Sequence, residues 1–170
     1  ATNDRIAIDA KTAFETNSEQ VIQAQAIILG TTENLGYMSG GLKDFFDRIY
    51  YPCLEKTQGL PYSLVIRAGQ DGTGTLRAID KIATGLRWRA VQKALICRGK
   101  WRPNFITQCE ELGAAMALGL ISVFSKQCVI LPIAQETHLL GPVERHRGKP
   151  QTLQRYIRRS TERHLLKGPF

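Results

Sequence analysis

Two short stretches of this chain gather residue types able to hold a ligand. The first, Gly30-Thr31-Thr32-Glu33-Asn34-Leu35-Gly36-Tyr37-Met38-Ser39-Gly40, offers hydroxyls, an amide, a carboxylate and an aromatic ring. It runs into a helix start at Ser39, a residue suited to cap one. The second, Ala68 to Thr75, reads AGQDGTGT and places three glycines where a backbone can approach a ligand closely. Together they suit a planar heterocycle, with the ring stacked on Tyr37 or Leu35 and its polar edge accepting backbone N–H bonds. Taken alone, both stretches also read as ordinary turns whose glycines serve only turn geometry.

The remaining candidates for chemistry are fewer. Cys53, Cys97, Cys109 and Cys128 form no C-x-x-C pair, and no His stands at a metal-finger spacing from them. They are expected to be reduced, mostly buried thiols of a cytoplasmic protein, and no metal site is expected. The opening ATNDRIAIDA shows no basic stretch followed by an apolar run, so no signal peptide is expected.

Both ligand-capable stretches follow strand signals directly. Arg5–Asp9 reads as a short strand and Asn17–Ala24 as a helix capped by Asn17 or Ser18, with Glu19 in its first turn. Ala26–Leu29 is a continuous apolar run followed by Gly, the pattern of a strand covered on both faces. After the polar stretch 31–38, Leu42, Phe45, Phe46, Ile49 and Tyr50 recur at helical spacing, with Lys43, Asp44, Asp47 and Arg48 opposite; Pro52 helps to end that helix. Tyr62–Arg67 is a strand that runs into loop 68–75, and a helix is expected from Thr75 to about Leu86. Lys93–Cys97 is a further strand. Asn104 or Thr107 then starts a long helix with Ile106, Cys109, Leu112, Met116, Leu120 and Val123 on one face. Alternating strands and helices imply parallel strands joined by right-handed crossovers, an α/β sandwich. Ligands in such sheets bind at the carboxyl ends of the strands, which puts both candidate loops on one edge.

The chain has 170 residues, 43% of them apolar, enough for one domain with a hydrophobic core. Its net charge of +8 is unevenly spread. Residues 125–170 hold nine Lys/Arg against three Asp/Glu, and all three histidines, His138, His146 and His164. A near-neutral body therefore carries a basic extension, and the expected division is residues 1–124 and 125–170.

The run from Ile27 to Thr75, with G-T-x-E-N-x-G-Y-M-S-G-x-L-K-D-F-F-D-R followed by A-G-x-D-G-x-G-T, resembles the flavodoxin-like NAD(P)H-dependent FMN reductase and quinone reductase family. Ile82–Trp88 and Cys109–Phe124 (CEELGAAMALGLISVF) extend the resemblance, which covers about 120 residues. It implies a flavodoxin-like three-layer α/β/α sandwich with a parallel sheet of strand order 2-1-3-4-5. It also implies non-covalent FMN, NAD(P)H as co-substrate, a small-molecule electron acceptor and a homo-oligomer. By the same resemblance Thr31, Thr32, Glu33, Asn34, Leu35, Gly36, Tyr37 and Met38 contact the isoalloxazine ring, and Ala68, Gly69, Gln70, Asp71 and Gly72 lie on its other side. Hydride passing from nicotinamide to flavin needs no side-chain acid or base, so no catalytic residue is assigned.

The chain departs from that family at its start. The family opens with a strand and a Ser/Thr/Gly-rich loop that wraps the FMN phosphate at a helix N-terminus. No such segment precedes Arg5, and the first strand matches the family's second. The foremost expectation is that the start is truncated and residues 125–170 are an unrelated extension. The alternative is a circular permutation, in which Cys128–Ile133 (CVILPI) supplies the missing strand and Pro150–Leu166 the helix. Pro132 opposes it, because proline removes a ladder hydrogen bond from a central strand. So does loop 134–149, which lacks the family's Ser/Thr/Gly pattern although it carries Thr137, Arg145, His146, Arg147 and Lys149. Arg155, Arg158, Arg159 and Arg163 share much of one helical face, which leaves contact with nucleic acid or an anionic membrane open against a solvated face.

Three functions are therefore carried forward: an FMN-dependent oxidoreductase passing electrons from NAD(P)H to a quinone or flavin; a non-catalytic FMN-binding electron carrier; and a degenerate flavodoxin-like scaffold whose basic tail makes contacts.

Overall fold

The structure, a computed structural model, describes residues 6–123 and 128–134. Its strands are β1 (Ile6–Ile8), β2 (Lys11–Thr12), β3 (Ala26–Asn34), β4 (Tyr37–Met38), β5 (Pro61–Ala68), β6 (Arg89–Ala90), β7 (Leu95–Arg98) and β8 (Cys128–Ala134). Its helices are α1 (Ser18–Gln23), α2 (Gly40–Cys53), α3 (Thr73–Gly85) and α4 (Asn104–Val123). They form a three-layer α/β/α sandwich on a mostly parallel sheet. Across the sheet the strands run β1 and β2, then β8, β3, β5, and finally β6 and β7. That is the 2-1-3-4-5 order of a flavodoxin-like sheet, with the last described strand of the chain in the place of the first.

The position of β8 overturns the foremost expectation for this part of the chain. Cys128–Ala134 is an interior strand, parallel to β1 and β2 on one side and to β3 on the other. The sheet therefore crosses the expected 124/125 division. Pro132 is accommodated by the register. On the β1 and β2 side, Ile8 pairs with Ile130 and Lys11 with Ile133. Pro132 thus falls opposite the break between the two short strands, where that side requires no N–H from it. The segment 135–170, including the candidate helix 150–166 and its arginine face, lies outside the described residues.

Period-2 alternation divides the core. From β3, Ile27 and Leu29 join one cluster while Ala26 and Ile28 join the other; from β5, Leu64 and Ile66 oppose Val65 in the same way. The first cluster is covered by α1, α2 and α3. Phe45, Phe46, Leu42 and Ile49 of α2 are fully buried there, each contributing roughly 2–3 kcal/mol of transfer free energy. The second is covered by α4 through Phe105, Cys109, Leu112, Met116 and Leu120. Phe105, rather than Ile106, begins the buried face.

Helix ends follow local chemistry. Asn17 caps α1 in a reciprocal capping box with Gln20. The Ser39 hydroxyl accepts from the Leu42 N–H to start α2. Pro52 lies inside α2, which ends one residue later at Cys53 rather than at the proline.

Candidate functional site

Strands β2, β3, β5, β7 and β8 all run the same way, so the segments that leave β2, β3, β5 and β7 share one edge of the sheet. There the expected loop 31–38 proves to be mostly strand. β3 continues to Asn34 and turns back into β4, with Glu33 opposite Met38 and Asn34 opposite Tyr37. The two-residue turn is Leu35-Gly36, and both have positive φ, 53° and 76°. That is the backbone of a type I′ hairpin, normally made by Asn-Gly or Gly-Gly. Leucine in this conformation costs roughly 1–2 kcal/mol, and here its side chain is fully exposed, so no packing offsets the strain. Backbone strain of this kind clusters at ligand clamps and switch regions.

The two candidate loops are tied together. The Glu33 carboxylate accepts the Gln70 N–H at 2.8 Å through Oε2 and the Gly72 N–H at 3.0 Å through Oε1. A Cβ at Gly74 would overlap the Gly36 carbonyl oxygen, so only glycine permits the first turn of α3 to lie against the hairpin. Beneath the hairpin, Thr31 accepts the Ser39 N–H and its hydroxyl reaches Ser39 Oγ and Thr32 O. The start of α3 carries its own anions: Asp71 Oδ1 accepts the Thr73 N–H, and that bond holds the Asp71 carboxyl below its ordinary range. With Glu33 beside it, this helix end is already neutralised and does not suit a phosphate.

These contacts sort the residues expected from sequence. Thr31, Thr32, Met38, Ala68 and Gly72 are buried, and Glu33 is half-buried and committed to the second loop. They lie within or tie together the two loops. Asn34, Leu35, Gly36, Tyr37, Gly69, Gln70 and Asp71 are exposed along the edge. Of these, Leu35 and Tyr37 present apolar surface, and Gly69 has open space where a Cβ would stand. The exposed edge is thus a floor of backbone flanked by Leu35 and Tyr37, and the Gln70 and Gly72 N–H groups, engaged by Glu33, are not available to a ligand there.

The same edge carries a residue not singled out from sequence. Phe14, in the turn after β2, is 67% exposed, two strand spacings or about 10 Å from β3. Its turn is held by Glu15, whose carboxylate accepts the Thr12 N–H and hydroxyl, and by Arg48, which donates to the Ala13 and Thr16 carbonyls. A lone aromatic among polar residues, K-T-A-F-E-T-N-S, was the available signal.

At the opposite edge, a cleft of about 260 Å³ lies between β6 and α4, walled by Pro61, Val91, Met116 and Leu120. It is remote from both loops, and the Gln92 amide there is engaged with the Leu112 carbonyl. Among the described residues no group of three or more His, Cys, Asp or Glu stands together as a metal site, and no helix is long and apolar enough to cross a membrane. The chain matches no protein-family model, and no curated protein matches it significantly.

Proposed function

We propose that this protein is an FMN-dependent oxidoreductase that passes electrons from NAD(P)H to a small-molecule acceptor, a quinone or a flavin. The observation that carries this reading is the joining of two glycine-bearing loops, through Glu33, at the carboxyl ends of adjacent interior strands. That is where an α/β sheet of this strand order takes its ligand. FMN, when bound, supplies hydride and electron transfer. The chain's part is to fix the ring between the Leu35–Tyr37 hairpin and the backbone at Gly69, and to keep α3 from attracting the phosphate. The phosphate belongs instead at the carboxyl end of β8, the switch point of the sheet. The chain continuing from there carries Arg145, His146, Arg147 and Lys149 in sequence.

Cytoplasmic residence and assembly of like subunits belong to the same proposal. The first rests on the cysteine pattern, the second on the resemblance of residues 27–75 to a family of oligomeric enzymes. A titration of the purified chain with FMN tests the core of the reading: saturable quenching of flavin fluorescence, followed by NADH or NADPH oxidation with a quinone, is expected. FMN binding without NAD(P)H turnover would leave an electron carrier. Absence of binding would leave the scaffold.

A further inference from the structure

The cleft between β6 and α4 is built as a rigid slot. Its strand wall is pinned to β5: the Arg89 N–H donates to the Leu60 carbonyl at 2.9 Å, and the Val91 N–H to the Tyr62 carbonyl at 3.1 Å. The Gln92 amide ties the end of that wall to the helix, donating to the Leu112 carbonyl at 3.2 Å. The helix wall consists of two pairs, Ala115 with Gly119 and Met116 with Leu120, each one turn apart on α4. Met116 and Leu120 are buried and form the floor, while Ala115 and Gly119 are exposed at the rim. A Cβ at Gly119 would meet nothing within 4 Å, so the slot is open to a ligand entering from solvent.

Its size and lining suit a flat aromatic body. An apolar cavity of roughly 150 Å³ holds one benzene ring, and a volume of about 260 Å³ matches two fused rings. Small residues on the helix wall leave room for a planar group, and the Met116 thioether packs favourably against aromatic rings. Pro61, Val91 and Leu120 complete the apolar lining.

The mouth carries the charge. Arg89 is the register partner of Pro61, so both stand on the α4 side of the sheet. No Asp or Glu lines the cleft, and Arg89 forms no ion pair with a described residue. Arg87 and Lys93, both exposed, flank it in the chain and add to the positive potential there. A guanidinium in this position recognises a carboxylate through two parallel hydrogen bonds.

We propose that this cleft is a second ligand site and that it takes an aromatic carboxylate. The ring lies in the slot against Met116 and Leu120, and the carboxylate is held at the mouth by Arg89. The site is remote from the two glycine-bearing loops and stands independently of flavin binding.

The two methionines of the chain report separately on the two places, Met116 on the cleft floor and Met38 in the hairpin. The test is a titration of the full chain with naphthoate, followed by NMR of isotope-labelled methionine methyl groups. A saturable shift of the Met116 methyl is expected, with Met38 unmoved and the curve unchanged when FMN is present. Neutral naphthamide should bind about threefold more weakly, and Arg89→Gln should weaken naphthoate by about the same factor, the size of an exposed ion pair. Should that variant fail to fold, the naphthamide comparison on the wild-type chain decides the role of charge. Gly119→Leu fills the slot, and leucine favours helix over glycine, so the fold is expected to hold while saturation is lost. A Met116 methyl that ignores naphthoate, or a Met38 methyl that moves in its place, would overturn the proposal. Equal affinity for naphthamide, or tighter binding of octanoate, would overturn the assignment to aromatic carboxylates. A Met116 signal that moves on dilution of the protein alone would give the cleft to a second copy of the chain instead.

Discussion

Removing the carboxylate of Glu33 should release the second loop while leaving the sheet intact. Glu33 accepts two backbone N–H bonds, at 2.8 and 3.0 Å, from Gln70 and Gly72, 37 and 39 residues away. A sheltered bond to a charged acceptor contributes roughly 1.5–3 kcal/mol. Glu33 is half-buried, and solvent screening reduces this to about 1 kcal/mol for each bond. Glu33→Ala should therefore cost about 2 kcal/mol, and Glu33→Gln about half of that, because the amide NH2 cannot accept from the second N–H. For a chain of this size, 2 kcal/mol corresponds to a melting temperature lower by about 4–8 °C. The local readout is sharper. Amide exchange at Gln70 and Gly72 should accelerate about thirtyfold in Glu33→Ala, while the amides of β3 and β5 follow only the global change. Unaltered exchange at Gln70 and Gly72 would refute the coupling of the two loops.

Other consequences follow from the same geometry. Leu35→Asn puts Asn-Gly at the type I′ turn and should stabilise the protein by about 1 kcal/mol in urea unfolding, while weakening FMN binding; destabilisation would show that Leu35 is held by contacts rather than strained. Gly74→Ala should force α3 from the hairpin at a cost of about 1–3 kcal/mol, read from the unfolding midpoint; no shift would contradict the close approach to Gly36. A chain ending at residue 124 loses the interior strand β8 and should show no cooperative thermal transition; a native-like transition would contradict the sheet order. The Asp71 carboxyl is lowered by the Thr73 N–H, so its contribution is present above the ordinary value of 3.8 and lost as pH falls through the lowered one. NMR titration should place its midpoint below 3.8, and a midpoint at or above that value would contradict the bond.

What was legible in the sequence was set by periodicity. Leu42, Phe45, Phe46 and Ile49 announced α2 and its buried face because a 3.6-residue repeat survives without tertiary information. The AIIL run announced a strand covered on both faces because such a strand reads as a continuous apolar run, and YSLVIR announced a further strand. The hairpin at 33–38 was not legible, because its turn is Leu-Gly and its strand residues Thr31, Thr32 and Glu33 are polar; the usual Asn-Gly signal is absent. The strand Cys128–Ala134 was misjudged on Pro132, whose cost depends on which neighbours need its N–H. Only the register shows that it faces the break between β1 and β2. The bonds from Glu33 to the second loop were not legible because its partners lie nearly forty residues downstream, and no local pattern reports a carboxylate capping a distant loop.

The most direct test of the proposed function is an FMN titration of the purified 170-residue chain, followed by flavin fluorescence and repeated with Leu35→Asn. The account predicts saturable one-to-one quenching that weakens in the variant. Fluorescence that stays linear in added FMN would contradict it, leaving the joined loops as scaffold alone.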